Sequence, residues 1–222
     1  MPFLTPQIAR ILRGVHRVGR LPHKVHKGLV KLRFRRQLIA FKRPYQLHIG
    51  CGEVRLPGWI NMDSDPKVSG VEVVWDFRNG IPFPSRSCAL IYNEHFLEHL
   101  PVEQGVDFLR EARRVLQPGG VLRIAMPSLD VLLEKATSAD WRDQDWLRWP
   151  GHEFIVTRAQ MVNIAFRWWG HEWIYDREEL ERRLREAGFS ELVFCLRSQS
   201  EHKALRDLET REDSLLICEV TA

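Results

Sequence analysis

The sequence predicts a doubly wound α/β protein, a mostly parallel seven-stranded sheet with helices packed on it and a basic helical arm in front. Three observations carry this. Short apolar runs rich in strand formers alternate with amphipathic stretches at helical spacing, the pattern of βαβ units. The first such run, Tyr45-Gln-Leu-His48-Ile49, ends abruptly in Gly50-Cys51-Gly52, as a first parallel strand does when it turns beneath a bound ligand. The charge also divides sharply. Residues 1–44 hold twelve Lys and Arg and no Asp or Glu, which leaves 21 basic against 29 acidic residues in the remainder.

A chain of 222 residues, 44% hydrophobic and 28% charged, suits one domain with a real core plus an appendage. The division expected is an arm over residues 1–44 and a domain over residues 45–222. No apolar run reaches the roughly eighteen residues that a spanning helix needs, and the N-terminus lacks an apolar signal-peptide core. Cys51, Cys88, Cys195 and Cys218 are scattered with no C-x-x-C spacing. Reduced thiols in a cytoplasmic protein, with no zinc site, are the expectation.

In the arm, Ile8, Ile11, Leu12 and Val15 recur at helical spacing, and Leu29, Val30, Leu32, Phe34 and Leu38 suggest a second stripe. Gly14, Gly19, Pro22 and Gly28 interrupt them, so the reading is two short amphipathic basic helices. Three roles stay open: a solvated arm packed on its own domain, an attachment to an anionic membrane surface, and a nucleic-acid contact. The last is disfavoured because few aromatics are present to stack on bases.

After the glycine turn, Ile60-Asn-Met62 reads as a short second strand with Asp63 at its carboxyl end. Val71–Trp75 is a third, closed by Asp76 and Phe77. Asn79-Gly-Ile-Pro-Phe-Pro84 is a constrained turn. Ala89–Tyr92 is a fourth strand, ending at Asn93-Glu94-His95-Phe96-Leu97-Glu98-His99. Pro101 opens a long helix whose buried face is Val102, Val106, Leu109, Ala112, Val115 and Leu116; Gln117-Pro-Gly-Gly120 stops it, and Val121–Ala125 is a fifth strand. Residues 128–175 are less regular and carry six of the eight tryptophans, which suit core or lid better than a substrate platform. Asp176-Arg-Glu-Glu179 reads as a capping box ahead of a helix stopped by Gly188. Leu192–Leu196 and Ser214–Val220 close the chain as an antiparallel, hairpin-like pair at the sheet edge.

These motifs together resemble a class I S-adenosylmethionine-dependent methyltransferase, of the broad group called methyltransferase type 11. The residues that carry the likeness are Leu47-His-Ile-Gly-Cys-Gly52, Asp63, Asp76, Ile81-Pro-Phe-Pro84, Ile91-Tyr-Asn-Glu-His-Phe-Leu-Glu-His-Leu100, and Leu109 through Arg-Val-Leu-Gln-Pro-Gly-Gly to Ile124. The helix that runs through Pro-Gly-Gly into a strand is the most specific of them, and the likeness covers residues 45–222. It implies a Rossmann-like methyltransferase fold and S-adenosyl-L-methionine as cofactor. Gly50 and Gly52, with His48 and Cys51 beside them, would lie against the methionine part and the ribose. Asp63 would bind the ribose hydroxyls. Asp76 would accept from the adenine amino group with Phe77 next to it, and Asn93 would sit by the sulfonium.

The chain departs from the family pattern in one place. Only residues 53–59 separate the turn from the second strand, so either the first crossover helix is reduced to a loop or that strand lies elsewhere. Gly50-Cys-Gly-Glu-Val-Arg55 is also not G-x-G-x-x-G, which argues against a nicotinamide dehydrogenase.

Methyl transfer needs a base only when the acceptor is a poor nucleophile. Glu94 and His95 are the catalytic candidates on the acceptor side, followed by His99, His152, His171 and Tyr175. His95 and His99 are four residues apart, but the glutamate of His-Phe-Leu-Glu-His is misplaced for a zinc-protease motif, so no metal site is expected. Asn93-Glu94-His95-Phe96 is not the Pro-Pro-aromatic sequence that resembles base methylation in nucleic acids. A small molecule or a glycan- or lipid-linked precursor is the favoured acceptor. The arm would then hold a cytoplasmic protein at the periphery of an anionic membrane. A non-catalytic binding module recruited through the arm and an RNA methyltransferase are the alternatives.

Overall fold

The structure, a computed structural model, describes residue 34 and residues 38–222. Most of the basic arm, including the first predicted helix and most of the second, lies outside the described residues. Its end does not. Phe34 is only 5% exposed and packs edge-on against Phe83 with ring centroids 5.5 Å apart, with Trp75 at 5.9 Å. Leu38 is buried in the same cluster.

Seven strands form one sheet: β1 (Tyr45–Ile49), β2 (Ile60–Asp63), β3 (Val73–Val74), β4 (Cys88–Glu94), β5 (Leu116–Met126), β6 (Glu191–Phe194) and β7 (Leu216–Thr221). The order is β3-β2-β1-β4-β5-β7-β6. All pairings from β3 to β5 are parallel, while β7 runs antiparallel to both β5 and β6. The final pair is therefore antiparallel and at one edge, as expected, but it is no hairpin. The chain leaves β6, makes a long excursion through residues 195–215 and returns as β7 inside it.

The longer helices among the described residues are α1 (Val102–Val115), α2 (Leu129–Thr137), α3 (Arg158–Arg167) and α4 (Arg177–Glu186). Helix α1 stops at Val115 and the chain turns straight into β5. The Gln117–Gly120 stretch is a shift in the β4–β5 register, not a loop after a helix. Glycine is required there, since a Cβ on Gly120 would stand 2.9 Å from the Gln117 carbonyl and 3.0 Å from that of Ala89. Asp176 caps α4 by accepting from the Glu179 amide at 2.7 Å. Glu179 spends its own carboxylate on Arg182 and Arg183.

The first crossover contains no helix, which settles the alternative left by the sequence: the second strand is placed as read and the connection is a loop. Side chains organise it. Asn61 Oδ1 accepts from the Leu56 amide at 2.9 Å, and its amide nitrogen donates to the Leu56 and Trp59 carbonyls. Arg55 donates to the carbonyls of Gly52 and Val54, both at 2.7 Å, and to that of Ser69.

One face of the sheet carries the main core, with Leu47, Ile49, Met62, Ile91, Leu109, Ala112, Leu180 and Phe189 among its members. A smaller cluster around Tyr92, Val121, Leu205 and Ile217 fills the other. The irregular, tryptophan-rich stretch builds a satellite core from Leu132, Trp146, Ile155, Met161 and Ile164. Of its tryptophans Trp146 is buried, whereas Trp149, Trp168, Trp169 and Trp173 are exposed.

Candidate active site

In an open parallel sheet, ligands gather beyond the carboxyl ends of the strands, where the strand order reverses. Here that place lies between β1 and β4. Gly50 turns with φ +67° and Gly52 with φ +50°. A Cβ on Gly50 would meet Phe96 Cδ2 at 2.5 Å, so the turn and the loop after β4 interlock. Among the described residues a Cβ on Gly52 would meet no atom within 4 Å, so its backbone borders open space there. The Gly52 amide donates to Asp63 Oδ2 at 2.9 Å, and the Asp65 amide donates to Oδ1 at 2.9 Å. Asp63 is thus fixed beside the turn, with lone pairs left for further donors.

Asn93 stands at the end of β4 with 0% exposure, and among the described residues neither its carbonyl nor its amide group has a hydrogen-bond partner. A buried carboxamide is costly to leave unsatisfied, so this side chain points to a polar ligand. Phe77 lies in the core, edge-on to Phe96 and Phe108. Asp76 caps the short helical turn Phe77–Asn79 and holds Arg78 in a two-point contact at 2.9 Å on each oxygen.

Two residues placed at the turn by sequence have inward-facing work. His48 is buried, with Nδ1 3.0 Å from Asn61 Oδ1 and its ring stacked on Tyr92. Burial pushes its pKa down, against the hydrogen bond to Asn61. The Cys51 thiol is pushed up to about 11 by burial. The Cys51 amide donates to the Met62 carbonyl at 3.0 Å, which helps pin the turn to β2.

Glu94 is committed to structure. Its carboxylate accepts from the Thr210 amide and hydroxyl, the Arg211 amide and the Ser214 hydroxyl, at 2.7–3.0 Å. It clamps the returning 209–214 segment. A second buried network supports that excursion: Arg123 donates to Glu209 at 2.6 Å and to Glu219 at 2.5 Å. Sequence reading missed Arg123. An arginine at the middle of an apolar strand was the available signal, since a central strand buries a cation only when paired.

His95 follows Glu94 with φ +50° and an amide that donates to Ala125. Its Nδ1 is 3.3 Å from Glu98 Oε1 and its Nε2 is 3.5 Å from Asp213 Oδ1. Both approaches miss hydrogen-bond alignment, and Nε2, Asp213 Oδ1 and both Glu98 oxygens are buried without partners. Burial, then the nearby Arg211 charge, pushes His95 down to about 3, so it is neutral. Burial raises Glu98 to about 8 and raises Asp213 as well. His99 and His171 complete the group, with ring centroids 5.0 Å apart. The four-residue spacing of His95 and His99 does not put them on one helix face, because residues 97–99 form a single 3-10 turn. His152 is set apart from this group, packed between Trp146 and Trp169, and Tyr175 is buried beside α1.

A cavity of about 220 Å³ opens beside this group. Pro127, Ser128, Lys135, Trp146, His171 and Asp213 are among its walls. Pro127 and Ser128 directly follow β5, so the cavity sits at the same carboxyl edge as Asn93.

A family model described as a methyltransferase domain matches residues 27–192. No curated protein matches the chain. Among solved structures, one is a SAM-dependent methyltransferase of Thermotoga maritima described as a possible histamine N-methyltransferase. It is 15% identical with a TM-score of 0.50, over 87% of this chain and 88% of that one. Another is a SAM-dependent methyltransferase of Archaeoglobus fulgidus, 16% identical with a TM-score of 0.46, over 87% and 92%. The open space at Gly52, the anchored Asp63 and the unpartnered Asn93 fit S-adenosyl-L-methionine as the cofactor. The glycine turn, the sheet order and the matched domain converge, and the chain belongs to the methyltransferase-domain family, as a class I S-adenosylmethionine-dependent methyltransferase.

Proposed function

We propose that the methyl acceptor is a small polar molecule of about sugar size, or the polar end of a glycan- or lipid-linked precursor, seated in the cavity beside His171 and Asp213. The cavity carries this reading. Its volume of about 220 Å³ lies below the roughly 300–1,000 Å³ of pockets that enclose drug-sized ligands. Charged groups on its wall, Lys135, Asp143, Asp145, Glu212 and Asp213, suit an acceptor rich in hydroxyl or amino groups.

Bound S-adenosylmethionine supplies a methyl group already activated by its sulfonium. The protein's task is to hold acceptor and cofactor in line and close, and to keep water out. The positive-φ glycines bring backbone to the cofactor, Asp63 offers acceptors for ribose hydroxyls, and the Asn93 carboxamide gains the partners it lacks. Asp76 would reach the adenine amino group only while sharing its carboxylate with Arg78. A hydroxyl acceptor would donate a hydrogen bond to Asp213 on the cavity wall. His95 neighbours Asp213 and is read as a positioning residue.

The test is release of S-adenosylhomocysteine with a panel of monosaccharides, amino sugars and other small polyols and amines. The variant Ala165→Trp, which fills the cavity from α3, should abolish turnover while S-adenosylhomocysteine still binds. Turnover untouched by Ala165→Trp, or transfer to RNA alone, would sink the reading.

A further inference from the structure

At the edge of the cavity one group of side chains is chemically incomplete. Glu98 is 1% exposed, and among the described residues nothing donates a hydrogen bond to either carboxylate oxygen. Its main-chain carbonyl accepts from the amides of Glu172 and Trp173 at 2.8 and 3.1 Å, which draws the His171 segment alongside. Glu98, His99 and His171 then each present one ligand atom within 4.8 Å of the others. A buried carboxyl group without hydrogen-bond partners either stays protonated or takes a counter-charge or an ion, and two imidazoles within reach of Glu98 offer the ligands that complete an ion's shell.

The two imidazoles are held as ligating imidazoles usually are. His171 Nδ1 is 2.7 Å from the Ala165 carbonyl, and His99 Nδ1 is 3.3 Å from that of Gly170. A main-chain carbonyl on one ring nitrogen fixes the tautomer and leaves the lone pair on the other. His95 extends the group, with Nδ1 3.3 Å from Glu98 Oε1 and Nε2 3.5 Å from Asp213 Oδ1.

We propose that Glu98, His99 and His171 form a binding site for a divalent transition-metal ion. One carboxylate oxygen and two imidazole nitrogens suit zinc, manganese, iron or cobalt, whereas calcium and magnesium prefer all-oxygen sets. Three protein ligands leave a coordination position open, and His171 is also a cavity wall. At ordinary metal–ligand lengths the ligand atoms stand about 3–3.5 Å apart, so loading draws the three side chains together by about 1 Å. The spacing of His95-Phe-Leu-Glu-His99 argued against a metal because it was weighed as a helix motif. The site instead joins a 3-10 turn to a residue more than seventy positions later. The inference holds whatever the acceptor is.

Full-length protein stripped with EDTA is titrated with Co²⁺, followed by its visible absorption, and with Zn²⁺ by calorimetry, both without cofactor. One ion per chain is expected. Glu98→Gln and His171→Ala should each weaken uptake by about a hundredfold or more, and His202→Ala should not. Melting curves in EDTA establish that each variant is folded; if Glu98→Gln is not, His171→Gln replaces it in the comparison. No uptake of either metal by the wild type at about 100 µM overturns the site, as does equal uptake by folded ligand variants.

Discussion

The amide of Gly52 donates to Asp63 Oδ2 at 2.9 Å, which ties the glycine turn after β1 to the end of the neighbouring strand. Together with the Cys51 amide on the Met62 carbonyl and the Arg55 and Asn61 bonds, this bond does the work of a missing crossover helix. Asp63→Asn keeps an oxygen for one amide but replaces the other acceptor with a donor. A hydrogen bond to a charged group is worth about 1.5–3 kcal/mol, so affinity for S-adenosylhomocysteine should fall about ten- to a hundredfold by calorimetry. Unchanged affinity would remove Asp63 from the cofactor site.

The interlock of Gly50 with Phe96 makes a second prediction. Gly50→Ala places a methyl 2.5 Å from the Phe96 ring in a backbone conformation that disfavours any side chain. The cost should be about 2–4 kcal/mol in denaturant unfolding. Adding Phe96→Leu should recover part of it, leaving the strain of positive φ. Strict additivity of the two substitutions would show that the contact is not the cause.

Glu94 separates a structural role from a catalytic one. Glu94→Gln converts one acceptor oxygen into a donor facing the amides and hydroxyls of residues 210–214. Stability should drop by about 2–3 kcal/mol, and limited proteolysis should cut the 209–214 segment sooner. A variant with full stability, native protease resistance and no turnover would reverse the assignment.

The thiols give a pH dependence. Burial holds Cys88 and Cys218 up at about 12, whereas unfolded thiols ionise near 8.5. The unfolded chain therefore releases protons first, and stability is lost as pH rises above about 8.5, by up to about 1.4 kcal/mol per pH unit for each thiol. Cys88→Ala with Cys218→Ala should flatten that alkaline slope; an unchanged slope between pH 8.5 and 10 would refute the argument.

The strand ends were legible because each is marked locally: Gly50 and Gly52 after β1, Asp63 after β2, Asn93 after β4. Apolar runs of central strands and the α1 stripe also declare themselves by period alone. What escaped lies in long-range pairing. Glu94 read as a free carboxylate because its partners, Thr210 to Ser214, stand over a hundred positions away. Arg123 with Glu209 and Glu219 escaped for the same reason, as did the meeting of Glu98 with His171. The tryptophan-rich stretch hid α2 and α3, whose apolar residues face a small satellite core with no clean period of their own.

The basic arm carries the last prediction. Its charge suits an anionic surface, and the structure indicates where a truncation should stop, because Phe34 and Leu38 belong to the domain core. Removing residues 1–33 keeps both in place and should cost less stability than removing residues 1–44. Removing residues 1–44 takes Phe34 from Trp75 and Phe83 and should cost about 3–5 kcal/mol. If the arm attaches the enzyme to a membrane, the full chain should sediment with vesicles containing phosphatidylserine, less so as salt screens the twelve Lys and Arg, and the 1–33 deletion should stay in solution. Equal sedimentation of both proteins, or none by either at low salt, would leave the arm as a packed extension of the domain.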